Sequence, residues 1–316
     1  MSAKPTSNIN VVFGSMTIGA PGDQSISQAT THEAAAALLD VFQKHGHCEV
    51  DTARIYGSGT TEEYLAAVGW QQRGFKMETK FFPTKGMNLS WACPEELSHS
   101  ATDLRKALND SLKALNTDKF YMFYLHAPDR SVSFEDTLRE VNKIHSEGVF
   151  ERFGLSNFML SEVEQICEIC KRNGWVMPTG ISFYAVHPLA GGFLTSRYTR
   201  DQSSFSDNAR FDPARIFGKM LQARYWNDAT FTALELLRAA IAPHGIGESE
   251  AALRWLAHHS ALKKEFGDAV IVGAGSVAHL EANLEALEKG PLPVDVVKAL
   301  DAGWEHTREL LSRYWH

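Results

Sequence analysis

Short apolar runs alternate with amphipathic segments along most of the chain, and this alternation predicts strands that are each followed by a helix. The runs that predict strands are Ile9–Ser15, Glu49–Ala53, Lys76–Phe82, Lys119–His126, Phe150–Asn157, Gly180–His187 and Asp268–Gly273. The run Lys119–His126 is apolar throughout, which is typical of a strand buried on both faces. Strands that alternate with helices indicate βαβ units and a parallel sheet.

The helices are predicted from apolar residues that recur every three or four positions. Thr30 and Thr60 each precede a glutamate by three residues, so a capping box is expected to begin each of the first two helices. Later helices are predicted near 95–115, 134–147, 161–173, 229–242, 248–262, 276–288 and 294–314. The stretch 188–227 has no clear period and predicts a long irregular segment, which inside a compact domain is usually functional.

The number of strands and the even composition of the chain limit the possible folds. Seven strands are evident, and five consecutive strand–helix units run without interruption. We therefore predict a single α/β domain over residues 1–316, a TIM-type (β/α)₈ barrel of which only seven strands are evident in the sequence.

Composition and charge narrow the class of protein. The chain has 316 residues, 44% of them hydrophobic, and a formal net charge of −7. A mildly acidic chain without a basic block is a poor binder of nucleic acid or anionic membranes. No apolar run is long enough to span a bilayer, no apolar signal core begins the chain, and four cysteines are too few for a disulfide scaffold. These features predict a cytoplasmic protein.

Polar side chains follow the ends of four successive predicted strands. Asp51 and Tyr56 come after the second strand, Lys80 ends the third, His126 the fourth, and Ser156-Asn157 the fifth. A (β/α)₈ barrel draws its active site from the carboxyl ends of several strands at once. The alternative is that these residues are only helix caps and loop polarity.

The residue types at these ends suit proton donation to a carbonyl oxygen. Tyr56 is a weak acid, and the Lys80 ammonium is expected to lower the pKa of its phenol while Asp51 holds the lysine. His126 is placed to hydrogen-bond the carbonyl oxygen of a substrate. No side chain donates a hydride, so the electrons must come from outside the chain, most simply from a nicotinamide cofactor.

Several motifs, in their joint order, resemble those of the aldo-keto reductases. They are Asp51-Thr52-Ala53-Arg54-Ile55-Tyr56-Gly57, Glu78-Thr79-Lys80, Tyr124-Leu125-His126-Ala127-Pro128-Asp129 and Gly154-Leu155-Ser156-Asn157-Phe158. Further matches at Asn173-Gly174-Trp175, Pro188-Leu189-Ala190-Gly191-Gly192, Arg224-Tyr225-Trp226-Asn227 and Glu281-x-Asn283-Leu284 resemble the aflatoxin-aldehyde reductase branch. The resemblance covers nearly the whole chain.

The resemblance implies roles for individual residues. Tyr56 matches the proton donor, Lys80 and Asp51 the residues that tune it, and His126 the residue that contacts the substrate carbonyl. Cofactor contacts are implied for Asp51, Ser156, Asn157, His187, Pro188, Leu189, Gly191, Arg197, Arg210, Gly275, Ser276, His279 and Asn283. Ser156 and Asn157 match the pair that holds the nicotinamide carboxamide. The resemblance further implies NADPH as cofactor, a small-molecule carbonyl substrate and a homodimer.

The segment Val270–Ala278 imitates a dinucleotide-binding fingerprint, because Gly273-x-Gly275-x-x-Ala278 follows a strand and opens a helix. It lies too near the carboxyl end of the chain, and no acidic residue on a second strand follows it. The better interpretation is the phosphate loop after the last strand of a barrel, at a helix N-terminus. The family usually has more serine and glutamine here than this chain, which carries Ala274, Gly275 and His279.

Other candidates receive structural interpretations. Cys167-x-x-Cys170 has no second cysteine pair, so it favours a buried helix face over a metal site, and no metal is expected. Trp91, Trp226 and Phe193 are candidates for a substrate pocket, with core packing equally favoured for Phe193. Trp304 and Trp315 are expected to serve packing.

The family would carry about one more strand and helix, on the order of 25 residues, between Thr179 and Gly180. The missing strand would carry a glutamine and a tyrosine that contact the nicotinamide ring. Three hypotheses follow: an NADPH-dependent reductase of aldehydes or ketones, a silent relative that binds a nucleotide or a partner, and a fragment whose barrel does not close. No residue selects the substrate, nor a role in secondary metabolism over aldehyde detoxification.

Overall fold

The chain is described by a computed structural model over residues 6–22, 25–87, 89, 93–178, 182–205 and 209–310. These residues belong to two compact units. The sheet unit takes Val12–Asp40 and Cys48–Ser182, and the C-terminal unit takes Met1–Val11, Val41–His47 and Phe183–Ser312. Trp91, Trp315 and the Thr179–Gly180 junction lie outside the described residues.

The sheet unit is built on five parallel strands. They are β1 (Asn10–Gly14), β2 (Glu49–Asp51), β3 (Lys76–Phe81), β4 (Phe120–Leu125) and β5 (Phe150–Leu155). Their order across the sheet follows the chain from β1 to β5. Five of the six residues of β3 are buried, and Lys76 is exposed. In β4 every residue is buried except Tyr121, which is partly exposed. At the β5 edge a single parallel bridge joins Phe153 to Pro178.

Helices separate these strands as predicted. They are α1 (His32–Lys44), α2 (Thr61–Ala67), α3 (Ala101–Ala114), α4 (Phe134–Ser146) and α5 (Leu160–Asn173). Ser100 and Ser133 cap α3 and α4 by accepting a backbone N–H three residues on. The prediction that Thr30 caps α1 is wrong by one position. The hydroxyl of Thr31 is the cap, since it accepts the N–H of Ala34 at 3.2 Å.

The prediction that Thr60 caps α2 is correct in position but not in its bonding. Thr60 stands at the N-cap of α2 but its side chain makes no capping bond. Its hydroxyl instead donates to the carbonyl of Gly57 at 2.6 Å and accepts the N–H of Ala20 at 2.9 Å. The side chain therefore closes the turn before the helix rather than the helix itself.

The C-terminal unit contains two strands and five helices among its described residues. They are β6 (Tyr184–Ala185), α6 (Ile216–Tyr225), α7 (Asp228–Ile241), α8 (Glu248–His258), β7 (Ala269–Val272), α9 (Val277–Glu288) and α10 (Val294–Thr307). Strand β6 pairs in parallel with β7 through Tyr184 and Ala269. The described residues thus hold the seven strands that the sequence predicts, in an α/β fold.

Two expectations for this unit are wrong. The stretch 188–227 is not irregular throughout, because α6 lies within it. Only Gly218 and Leu221 of α6 are buried, so few of its residues mark a buried face in the sequence. Glycine is needed at 218, because a Cβ there would lie 1.9 Å from the carbonyl oxygen of Asp212. Strand β6 is only two residues long within the predicted run 180–187, of which 180 and 181 are not described.

An aromatic cluster forms one core of the C-terminal unit. Its buried members are Phe193, Tyr198, Phe211, Leu221, Phe231 and Leu234, with Trp226 packed against them. The Phe193 and Phe231 rings meet edge to face at 5.1 Å, and the Trp226 and Phe231 rings at 5.0 Å. Phe193 and Trp226 therefore take the packing role rather than that of an open pocket wall.

Two buried histidines make the stability of the fold depend on pH. Burial lowers the pKa of His99 to about 4, and burial together with His45 lowers that of His47 to about 4. The unfolded chain takes up these protons below about pH 6.5, whereas the folded chain does so only near pH 4. Stability from each histidine is therefore complete above pH 6.5 and is lost as the pH falls.

We expect the thermal midpoint to fall between pH 7 and pH 5, with His99 accounting for about 2 kcal/mol of the loss at pH 5. The variant His99→Phe keeps a ring against Phe81, whose centroid lies 5.4 Å from that of His99, and should show a shallower fall. Calorimetry of both proteins across this range measures the difference. The exposed His306→Phe is the control; equal slopes for wild type and His99→Phe would contradict the assignment.

Candidate active site

The centre of the site is the ammonium group of Lys80, which is 6% exposed near the end of β3. It forms an ion pair with Asp51, with 2.6 Å between Nζ and Oδ1. It also donates to the carbonyl oxygen of Thr52 at 2.8 Å and to the hydroxyl of Tyr56 at 3.3 Å. The ammonium thus makes one ion pair and two hydrogen bonds, and both hydrogen bonds go to uncharged oxygen atoms. The predicted Asp51–Lys80–Tyr56 arrangement is thus assembled.

Tyr56 is held by a tight turn after β2. The next three residues, Gly57, Ser58 and Gly59, have φ values of 56°, 53° and 92°. A Cβ on Gly57 would lie 2.7 Å from the Thr61 hydroxyl, so glycine is required there for space as well as conformation. The guanidinium of Arg54 closes the turn by donating to the carbonyl of Gly59.

Electrostatics at Tyr56 differ from the sequence expectation. Burial raises the pKa of its phenol, the Lys80 ammonium lowers it, and the Asp51 carboxylate raises it; the net direction is upward. The lysine acts in the predicted sense, but burial outweighs it. At Lys80 burial favours the neutral amine, yet Asp51 and Tyr56 overcome this, and the pKa of the lysine is raised. Lys80 is therefore a fixed positive charge beside the phenol.

His126 follows β4 immediately and faces Tyr56. Their ring centroids are 5.8 Å apart and the rings are nearly perpendicular, at 81°. The ring of Phe82, which follows β3, packs edge to face against His126 at 5.3 Å. Phe82 is a site residue that the sequence analysis missed, although its place directly after the strand that carries Lys80 was the available signal.

Ser156 and Asn157 lie after β5 and are tied to the end of β4. The Ser156 N–H donates to the carbonyl of Leu125 at 2.9 Å. Asn157 adopts a φ of 62°, and its side-chain amide donates to the carbonyl of His126 at 2.8 Å and to the Ser156 hydroxyl at 3.2 Å. Asparagine tolerates this left-handed backbone better than most residues. All six predicted residues of the sheet unit thus occupy neighbouring strand ends.

Below the lysine lies a buried polar pair that the sequence analysis did not single out. The hydroxyl of Tyr124 donates to Glu78 Oε2 at 2.9 Å, and both side chains are buried. Glu78 and Tyr124 each stand two positions before a predicted site residue on the same strand, Lys80 and His126. The two-residue period of a strand places such residues on one face, and this period was the signal.

The other residues for which cofactor contacts are predicted lie in the C-terminal unit. Within its described residues, Arg210 Nε and Nη2 are buried and have no hydrogen-bond partner. Burial, together with the charges of Arg210 and Arg224, lowers the pKa of His187 to about 4. Buried guanidinium N–H groups without acceptors are costly, and an anionic ligand would satisfy them. These residues therefore fit a phosphate-bearing cofactor.

The predicted phosphate loop lies between β7 and α9. The hydroxyl of Ser276 caps α9 by accepting the N–H of His279 at 3.3 Å. The guanidinium of Arg197 lies 2.9 Å from His279 Nε2, and both side chains are exposed. Asn283 is buried within α9. The helix start and Arg197 together give a positively polarised surface.

The predicted loop His187–Arg197 has a constrained backbone. His187, Ala190 and Ser196 have φ values of 56°, 49° and 60°. Gly191 is buried in a 3-10 turn where a Cβ would meet Leu221 at 2.7 Å. Pro188 and Leu189 precede this turn and are partly exposed. The loop is therefore fixed by α6, the helix that the sequence did not predict.

The metal alternatives receive no support in the described part of the chain. No group of three or more His, Cys, Asp or Glu side chains there is arranged to hold a metal ion. Cys170 is buried in α5 and Cys167 is partly buried, and both are free thiols. The searched residues also contain no helix long and apolar enough to cross a membrane.

Comparison with known proteins identifies the class of this protein as that of the aldo/keto reductases, which are oxidoreductases. A sequence model of the aldo/keto reductase family matches residues 10–179 and 167–305. The chain belongs to this family. Membership implies a small carbonyl substrate and a nicotinamide cofactor.

Individual relatives place the chain within the family. It is 42% identical to the aldo-keto reductase pigE of Monascus ruber, over 100% of this chain and 99% of that one. It is 35% identical to human aflatoxin B1 aldehyde reductase member 2, over 96% and 89% of the two chains. The aflatoxin-aldehyde reductase branch is therefore the correct one.

A solved structure supports the fold. The glycerol dehydrogenase AKR11B4 from Gluconobacter oxydans superposes with a TM-score of 0.64, over 96% of this chain and 92% of that one, at 17% identity. At this identity the likeness speaks for the fold alone. It confirms the (β/α)₈-type architecture predicted from the strand–helix alternation.

Tyr124 requires a glycine on the neighbouring strand. A Cβ at Gly154 would lie 2.4 Å from Tyr124 Cδ1 and 2.7 Å from Met122 Cε. We expect Gly154→Ala to lower the free energy of unfolding by about 1–3 kcal/mol, because the ring cannot move away in a packed interior. Urea unfolding measures the change. Gly290→Ala, where no atom lies within 4 Å of the added carbon, is the control; equal stability of the two variants would refute the clash.

Proposed function

We propose that this protein reduces an aldehyde or a ketone to an alcohol with NADPH, and that Tyr56 donates the proton. The observation that carries the proposal is the contact of Tyr56 Oη with a buried ammonium that is itself neutralised by Asp51. A fixed positive charge beside a phenol stabilises the phenolate that proton donation leaves behind.

The chain's own residues divide the work. Tyr56 and His126, whose ring centroids are 5.8 Å apart, are proposed to contact the carbonyl oxygen of the substrate together and polarise it. NADPH would supply a hydride to the carbonyl carbon, and the electron pair of the C=O π bond would then move to the oxygen. Tyr56 would donate its proton to that oxygen, and the Lys80 ammonium would stabilise the resulting phenolate. The product is an alcohol, and water restores the proton of Tyr56. Phe82, packed on His126, keeps the imidazole oriented.

The proposal names NADPH because the C-terminal unit offers several positive charges. Arg210 has unsatisfied buried N–H groups, and Arg197 stands beside the start of α9. A 2′-phosphate carries up to two negative charges and is well matched to such donors. Ser156 and Asn157 are proposed to hold the nicotinamide carboxamide. A cytoplasmic location and a homodimer remain predictions of the sequence.

We also propose that the chain lacks one strand–helix unit that its relatives possess. The alignment with the Monascus ruber protein runs over 341 positions, whereas this chain has 316 residues, so about 25 positions belong to the relative alone. That number agrees with the size of one unit. It also keeps a second function open, that of a silent relative that binds the cofactor without turnover.

The proton-donor role predicts a specific loss. Tyr56→Phe should lower kcat by about 10²–10⁴-fold, since general acid catalysis is removed, and should leave the dissociation constant for NADPH nearly unchanged. Turnover with a panel of aldehydes and fluorescence titration with NADPH measure the two effects. Tyr64→Phe, on α2, removes a hydroxyl bonded to Thr30 and is the control. Near-normal turnover by Tyr56→Phe would exclude the mechanism; NADPH binding without turnover by the wild type would favour the silent relative.

The cofactor assignment predicts a charge effect. Arg210→Met should weaken NADPH binding by about 10–100-fold, because charge-assisted bonds to phosphate are lost, and should reduce its salt dependence. Arg200→Met is the matched control, since Arg200 already pairs with Asp228 and Glu235. Comparison of NADPH with NADH in both variants tests the specificity. Unchanged NADPH affinity in Arg210→Met would refute the assignment.

A further inference from the structure

A second buried carboxyl group stands beside the catalytic lysine. Glu78 lies two residues before Lys80 on β3, is 0% exposed, and is the register partner of Asp51 on β2. Two carboxyl groups therefore share one face of the sheet with a single ammonium. The proposed reaction does not use Glu78, and its buried position calls for a physical account.

The ammonium of Lys80 pairs with Asp51 rather than with Glu78. It lies 2.6 Å from Asp51 Oδ1, and its hydrogen bonds go to the carbonyl of Thr52 and the hydroxyl of Tyr56. Glu78 Oε1 has no hydrogen-bond partner among the described residues, and Oε2 accepts from Tyr124. An ionised carboxylate buried with so few partners is far more costly than the neutral acid.

The surrounding charges act in the same sense. Burial raises the pKa of Glu78 well above its ordinary value, and the carboxyl groups of Asp51 and Glu49 raise it further; Tyr124 and Lys80 act in the opposite direction. These are the titratable groups that face Glu78 from β2, β3 and β4. These directions favour the protonated form of Glu78, while Asp51 keeps its direct ion pair with Lys80.

Tyr124 connects Glu78 to the lysine. Tyr124 is the register partner of Lys80 across β3 and β4, and Lys80 Nζ lies 5.8 Å from the centre of its ring. Its hydroxyl is fixed by Glu78, and its ring edge is fixed by the Gly154 backbone. The ring thus forms a rigid support on one side of the ammonium, with the Tyr56 ring 4.9 Å from Nζ.

We propose that Glu78 is a positioning residue that is present as the neutral acid and fixes Tyr124 against the Lys80 ammonium. This inference rests on the proposed function. An ionised Glu78 would place two negative charges against one positive charge beside Tyr56. The Tyr56 phenol would then hold its proton more tightly and donate it less readily. The neutral acid preserves the hydrogen bond to Tyr124 without that added charge.

The protonation state can be measured without turnover. Infrared spectra of the wild type and Glu78→Gln at pH 7 are compared for the carbonyl band of a protonated carboxylic acid. We expect a band that is present in the wild type and lost in Glu78→Gln. If the difference contains only carboxylate bands, Glu78 is ionised and the proposal is wrong. This result stands whether or not a carbonyl substrate is found.

The positioning role is tested by two substitutions of similar size. Glu78→Gln keeps an uncharged acceptor for Tyr124, so its kcat should stay within about threefold of the wild type, with the same pH profile. Glu78→Leu removes the acceptor and should lower kcat by about 10–100-fold at unchanged KM, with a displaced pH profile, because the ammonium is no longer held in place. Tyr124→Phe removes the other partner of the same hydrogen bond and should have the same effect as Glu78→Leu. It replaces Glu78→Leu as the test if that variant does not fold.

Glu140→Gln is the control for the loss of a buried carboxyl group, since Glu140 pairs with Arg105 on the neighbouring helix. It should lower the thermal midpoint and leave the pH profile unchanged. A displaced profile in Glu78→Gln, or a wild-type profile in a folded Glu78→Leu, would overturn the proposal. A wild type that reduces no carbonyl would instead overturn the proposed function, and the infrared result would still decide the state of Glu78.

Discussion

The structure of the site depends on one constraint, which is that the ammonium of Lys80 is almost completely removed from water. A buried charge is tolerated only where its donors are satisfied and its charge is balanced. Asp51 supplies the balancing charge, and the Thr52 carbonyl and the Tyr56 hydroxyl each accept a hydrogen bond from the ammonium. The same contacts that make the buried lysine tolerable therefore fix the phenol beside it, so stability and chemistry share one set of bonds.

Regular strands provide this arrangement with little local strain. Parallel strands bring their carboxyl ends to one edge, and the alternation of side chains brings Glu78 and Lys80 to one face. The sequence sufficed to predict Asp51, Lys80, His126, Ser156 and Asn157 at neighbouring ends, because each directly ends or follows an apolar run. Tyr56 needed more, since its turn depends on successive left-handed residues and on Arg54. The residue types at the strand ends suggested proton donation by Tyr56, and the family resemblance implied the same role.

Other features were beyond the sequence because they depend on contacts between distant residues. The direction of the Tyr56 pKa follows from the extent of burial, which no spacing reveals. Helix α6 contributes Leu221 to the cluster around Phe193, and Phe217 and Tyr225 pack against it, so its apolar positions gain their meaning from distant partners. The hydroxyl of Thr31 rather than that of Thr30 caps α1, because the helix begins one residue later than the sequence pattern suggests. The buried donors of Arg210 are visible only once its surroundings are known.

The bridge between Phe153 and Pro178 has a consequence for how the protein behaves at high concentration. Strand β5 ends the order of strands in the sheet unit, and an exposed edge of this kind invites pairing with another chain. Proline has no backbone N–H, so a ladder cannot extend through it on its donor side. A proline at this bridged position therefore limits the main-chain pairing that the segment beside β5 offers to a further strand, which is one way in which proteins restrain edge-to-edge association.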